Sequence, residues 1–253
     1  MHDRHFSTAL DTKCSPSENF HWCQSIALFN SKLSGPIQPS ERDALCFAAA
    51  LLGVITFCHI EAKTPEQAWP LKPSSALDLN WLRMSDGKKQ IWRVCEPLRA
   101  DSVFQPLGPI FVNGPPALSV MPGLETLPPE LINLCGLDAT STSVNNPYQA
   151  AATALARSLN IDSYQSTIVS FLSFISHMRP EYKRLLERKD PCALLLLAYW
   201  YAKVCQYQHW WIFSRAVLEC QAICMYLERY HRLKPGMQEL LQFPRMMCGV
   251  FAG

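Results

Sequence analysis

The stretch PCALLLLAYWYAKVC, residues Pro191 to Cys205, decides the fold. It is apolar on every helical face until Lys203, and a helix without a polar face has to lie inside a core that other helices build. Asp190-Pro191 starts it. The segment that follows, 209–231, is amphipathic: Arg215, Glu219, Arg229 and His231 interrupt an apolar set of Trp211, Ala216, Leu218, Ala222, Ile223, Tyr226 and Leu227. Upstream, helices are expected at 163–177 and 181–188, with shorter ones starting near Pro129 and Pro147, where proline suits the first helical position.

The N-terminal half reads the same way. Phe20, Cys23, Ile26, Ala27 and Leu33 recur near helical spacing over 17–33, and Gly35-Pro36 stops that helix. Ser40 and Asp43 form a capping-box-like start for a helix running to residue 60. That helix is apolar nearly all round, so it is expected in the interior, with Gly53 allowing another helix close. Two short helices fit 77–84 and 88–94, separated by Ser85-Asp86-Gly87. Eight prolines between 97 and 129 break any periodicity and predict a long irregular connection, suited to a subdomain boundary or a regulatory gate. No alternating run of β-branched residues competes with the helices, and no repeat of fixed period occurs. The expected fold is all-α, a multi-helix globular domain with a long Pro-rich loop. Its parts are a flexible N-terminus 1–16 and a helical domain 17–253, divided into 17–96, the connection 97–129 and 130–253.

Composition narrows the function. The 253 residues are 49% hydrophobic, enough for a sizeable core. Lys and Arg number 23 against 21 Asp and Glu, so the chain lacks the basic excess of a phosphate-binding surface. Charged residues make up only 17%, below the usual quarter, which predicts apolar surface facing a partner, a ligand or another part of a protein. Residues 1–12 are polar and carry no signal or transit pattern, and the longest apolar run, 44–58, falls short of the roughly 20 residues of a spanning helix. The chain is therefore expected inside the cell. Eleven dispersed cysteines, several within apolar runs, suit a reducing compartment without disulfides.

Motifs for chemistry are missing. There is no G-x-S-x-G elbow, P-loop or G-x-G-x-x-G, so no catalytic residue and no cofactor are expected. Cys220 and Cys224 are one helical turn apart and, with His209 or His231, form the best metal candidate, but their neighbours Ala222, Ile223 and Met225 mark them as buried packing thiols, and no metal is expected. His59, His177 and His209 read as helix-end residues. Arg215 and Glu219, at i and i+4, are expected to form a structural ion pair with each other or with Arg188 and Asp190. The aromatic concentration at Tyr199, Trp200, Trp210 and Trp211 reads as core, or as the wall of a pocket for a large apolar ligand.

The stretch AWPLKPSSALDLNWLRMSDGKKQIWRVCEPLRADSVF at 68–104 resembles the regulatory region of fungal zinc-cluster transcription regulators of the sterol uptake control type. So do NNPYQAAATAL from Asn145, FLSFISHMRPEYKRLLERKDPCALLLLAYWYAKV from Phe171, WWIFSRAVLECQAICMYLERYH from Trp210 and LLQFPRMMCG from Leu240. The resemblance spans 18–249. It implies an all-α regulatory domain, nuclear and also cytoplasmic, that senses a sterol-like ligand and controls a zinc cluster, although no zinc-cluster block or basic linker is present here. The expected ligand-binding residues are Trp200, Trp211, Met225, Met246 and Met247, since flexible thioethers and flat rings adapt to a rigid apolar molecule. Expected partners are a sterol or another apolar small molecule, and a second copy or other transcription proteins. The competing expectation is a helical protein-interaction scaffold with no small-molecule ligand.

With near-neutral charge and no cysteine block, the chain alone is expected to show no sequence-selective binding to duplex DNA at physiological salt. A mobility-shift titration giving nanomolar selective binding would refute this.

Overall fold

The computed structural model describes residues 15–108, 123–160, 174–207 and 210–249, and all regular structure among them is helical. The chain divides into two compact units. The first comprises Met1–Lys63 and Leu79–Val112, the second Thr64–Asp78 and Asn113–Gly253. The segment Thr64–Asp78 falls inside the expected N-terminal part 17–96, yet it packs with the second unit. The expectations for residues 1–14, for the middle of the Pro-rich connection at 109–122, for most of the helix at 163–177 and for His209 lie outside the described residues.

In the first unit, α1 (Pro16–Leu33) begins at a capping box: Ser15 Oγ accepts from the Glu18 amide at 3.1 Å, and the Glu18 carboxylate accepts from the Ser15 amide at 2.8 Å. It ends at Ser34, whose amide bonds back to Asn30 and Ser31. The next helix, α2 (Arg42–Cys58), follows a 3₁₀ turn at Pro39–Glu41. Asp43 does not take the capping role expected of it. Its carboxylate instead accepts from Ser102 Oγ at 2.8 Å and the Val103 amide at 3.0 Å, and lies 2.8 Å from Arg99 Nη1. The Val103 amide, then Ser102 and Arg99, hold Asp43 below the usual carboxylate range.

The two short helices expected at 77–84 and 88–94 are one, α3 (Asn80–Cys95), which runs through Gly87. A single glycine in a helix costs only about 1 kcal/mol, and packing against α2 outweighs it. Leu45, Cys46 and Cys95 form a core cluster with Phe29, Leu33, Ile37, Ile91, Trp92 and Phe104 around it, and Phe57 meets Trp81 edge to face at 5.1 Å. The expectation that α2 lies wholly in the interior is corrected here. Leu45, Cys46, Ala49, Leu52 and Phe57 are buried, but Phe47 and Leu51 are 55% and 43% exposed.

In the second unit, α4 (Pro129–Leu134), α5 (Gln149–Leu159), α6 (Pro180–Glu187), α7 (Pro191–Cys205), α8 (Trp210–His231) and α9 (Met237–Met247) are arranged around α7, which packs on α5, α6, α8 and α9. Every residue of α7 except Lys203 is buried, as its sequence demands. Asp190 caps it: Oδ1 accepts from the Cys192 and Ala193 amides, both at 3.0 Å, and from the Tyr148 hydroxyl at 3.0 Å. The tight passage from α6 to α7 runs through Lys189 at φ +56°, with the Asp190 amide bonded to Leu185 O and the Lys189 amide to Leu186 O. This left-handed turn usually takes glycine. The lysine side chain offsets the strain, since Nζ donates to Pro70 O at 2.7 Å and lies 5.6 Å from the centre of the Tyr226 ring.

Gly53 is not required for close approach, because a Cβ there would meet only Lys88 Cδ, at 4.0 Å. Gly53→Ala is therefore expected to stabilise the protein by about 0.5–1 kcal/mol in urea unfolding, through lower backbone entropy of the unfolded chain and better helix propensity. A destabilised variant would mean that α3 lies closer to α2 than this spacing.

Candidate functional site

The residues expected to bind an apolar ligand differ widely in exposure. Trp200 is 0% exposed, stacked on Phe174 with ring centres 5.4 Å apart and tilted against Tyr201 at 5.1 Å. A side chain without accessible surface borders no void that admits even a water molecule. Leu194 to Ala198 are equally sealed. Trp211, Met225 and Met247 are half-buried, and Met247 Sδ accepts from Gln206 Nε2 at 3.2 Å. Met246, 64% exposed, faces outward. Trp200 and Met246 thus cannot line one enclosed cavity.

The polar pair is where its spacing put it. Arg215 Nη1 and Glu219 Oε1 form a short ion pair across one turn of α8; of the other partners considered, Asp190 caps α7 and Arg188 lies exposed on the surface. The structure adds a partner. Tyr201 of α7 donates its hydroxyl to Glu219 Oε2 at 2.5 Å, and both side chains are buried, Glu219 being 4% exposed. Burial, and after it the Glu219 carboxylate, push the Tyr201 hydroxyl well above its ordinary range, so it remains a donor. A tyrosine inside an otherwise apolar run marks such a need for a hydrogen bond, but its acceptor eighteen residues away is set by helix packing alone.

The thiols behave as packing groups. All ten described cysteines are free. Cys205 and Cys248 bring their sulfurs to 3.5 Å, and Cys220 Sγ points at Ala198 O, 3.5 Å away. Burial, followed by the neighbouring thiols, pushes Cys220 well above the usual thiol range, which keeps it neutral and unreactive. Among the described residues no group of three or more His, Cys, Asp or Glu side chains is arranged to hold a metal ion. His59 packs edge to face on Trp22 at 5.1 Å and lies 3.9 Å from Glu61, while His177 sits exposed beside Ser176.

One concave feature lies where the sequence did not direct attention. A surface groove of about 400 Å³ is formed by the loop before α5 and by α6, and three arginines line it. Arg184 and Arg188 are one turn apart in sequence, a readable signal. The loop that completes the groove is some forty residues upstream, and only the fold brings it there.

The buried triad yields a stability test. Arg215→Met strands the Glu219 carboxylate and is expected to cost about 3 kcal/mol in urea unfolding. Replacing Tyr201, Arg215 and Glu219 together by Phe, Met and Met removes every orphaned group and is expected to cost less. A silent Arg215→Met would mark the pair as solvated.

No helix among the described residues is long and apolar enough to cross a membrane. Compared with protein-family models, curated proteins and solved structures, the chain matches none, so its function is to be read from its own residues and geometry.

Proposed function

We propose that the chain is a non-catalytic transcription-regulatory domain of the fungal zinc-cluster type, acting in the nucleus through contact with another protein. The carrying observation is the outer face of α2. A helix with apolar residues on all sides buries one face and leaves Phe47 and Leu51, four residues apart, open to solvent. The neighbouring α1 buries none of its residues, and its Phe20 and Leu28 are also exposed. Scattered apolar residues are ordinary on a surface, but a helical i, i+4 pair of large ones is the form in which a helix presents anchors to a groove on a partner. The low charge fraction of the chain fits the same reading.

Sensing of a sterol-like molecule, the other reading that the resemblance supports, requires an apolar cavity. The sealed surfaces of Trp200 and of the leucines of α7 weigh against one beside the central helix. Contact is the better-supported mode of action.

Tethered to a heterologous DNA-binding domain, the chain is expected to alter reporter expression, and Phe47→Asp with Leu51→Asp to abolish that effect. Exposed positions tolerate substitution within about 0.5 kcal/mol, so the variant's melt should match the wild type. Regulation that survives the double change would overturn the contact reading. Ergosterol should leave the melt unmoved; a ligand specific for the folded state would add about 2.7 kcal/mol at a hundredfold excess over its Kd and would reinstate the sensor.

A further inference from the structure

The groove beside α6 carries an unbalanced charge. Arg179, Arg184 and Arg188 line it together with a single carboxylate, Glu181. That carboxylate is divided between two arginines at long range: Oε2 lies 3.5 Å from Arg179 Nε, and Oε1 lies 3.4 Å from Arg184 Nη2. The Arg188 guanidinium has no side-chain partner among the described residues. Arg184, in the last turn of α6, and Arg188, its C-cap, stand at i and i+4, so two like charges lie about one turn apart and an anion between them would relieve their repulsion.

The groove is also shaped for more than a bare ion. Arg179 Nη1 donates to Ser143 Oγ at 3.3 Å, which fixes one guanidinium across the opening and leaves the serine hydroxyl proton available as a further donor. Pro147 and Leu185, half-buried, supply an apolar floor, and the exposed Val144 stands at its rim. The volume, about 400 Å³, falls in the range of small-molecule sites. Three guanidinium groups less one carboxylate leave two positive charges, the complement of a dianion, and the planar fork of arginine matches the oxygens of a phosphoryl group.

We propose that this groove binds a phosphate monoester, its phosphoryl group held by Arg179, Arg184 and Arg188 and its carbon body resting on Pro147 and Leu185. A free small ester and a phosphorylated side chain of a protein present the same chemistry. The site belongs to the second unit and does not depend on the contact surface of α2.

The test is calorimetric titration of the full chain with inorganic phosphate, phenyl phosphate and a short phosphoserine peptide. Phenyl phosphate is expected to saturate, and to bind roughly tenfold more tightly than inorganic phosphate because the floor adds apolar contact. Arg188→Gln, at an exposed position, is expected to weaken it about tenfold with an unchanged melt, the scale of one lost charge-assisted hydrogen bond. Glu181→Gln is the sharper probe, since freeing Arg179 and Arg184 should tighten binding severalfold, whereas a merely structural role for Glu181 predicts no gain. Tighter binding of the peptide than of phenyl phosphate assigns the ester to a protein, and weaker binding assigns it to a metabolite; both uphold the class. Absence of saturable binding, wild-type affinity in Arg188→Gln, or no gain in Glu181→Gln would overturn the proposal.

Discussion

The Asp190 carboxylate closes the N-terminus of α7, and the second unit is organised round that closure. A helix buried on all sides satisfies its backbone internally except at its ends, where the first amides have no intrahelical acceptor and no water to turn to. Asp190 Oδ1 takes two of those amides and also the Tyr148 hydroxyl, which ties the start of α5 to the same point. Tyr182 of α6 donates to Ala193 O at 2.8 Å, so a third element converges within the first turn. The left-handed turn at Lys189 lets α6 reach that position without an intervening loop.

Further along α7, the fully buried hydroxyl of Tyr201 is answered. Tyr201 reaches Glu219, Glu219 reaches Arg215, and the contact sets the register of α7 against α8 more sharply than apolar packing alone can, because a slip would leave a hydroxyl or a carboxylate without a partner in a region closed to water. Toward the other end, the buried thiol of Cys220 fills space and stays neutral. Along α7, Leu194 to Ala198 and Trp200 are sealed from solvent, and the two recognition surfaces proposed lie on the outside.

Two surfaces have that character, and their chemistry differs. The outer face of α2 is apolar and suits a protein with a complementary groove. The arginine-lined groove beside α6 is concave and cationic, and suits a small anion.

Helical architecture, the central position of Pro191–Cys205 and the Arg215–Glu219 pair followed from the sequence by itself, because hydrophobic periodicity and i, i+4 spacing are local properties of a helix. The continuity of α3 through Gly87 did not follow, since the packing of α2 against α3 outweighs the local weakness of Ser85-Asp86-Gly87. Nor did the exposure of Phe47 and Leu51: an all-apolar helix announces burial, and only its neighbours settle how much of it they cover. Asp43 resembles a cap in sequence and is drawn instead to Arg99, Ser102 and the Val103 amide, almost sixty residues away. The tertiary structure alone decided the partner of Tyr201 and the meeting of Ser143 with Arg179, because contacts between segments distant in sequence depend on how the helices pack, which no local spacing records.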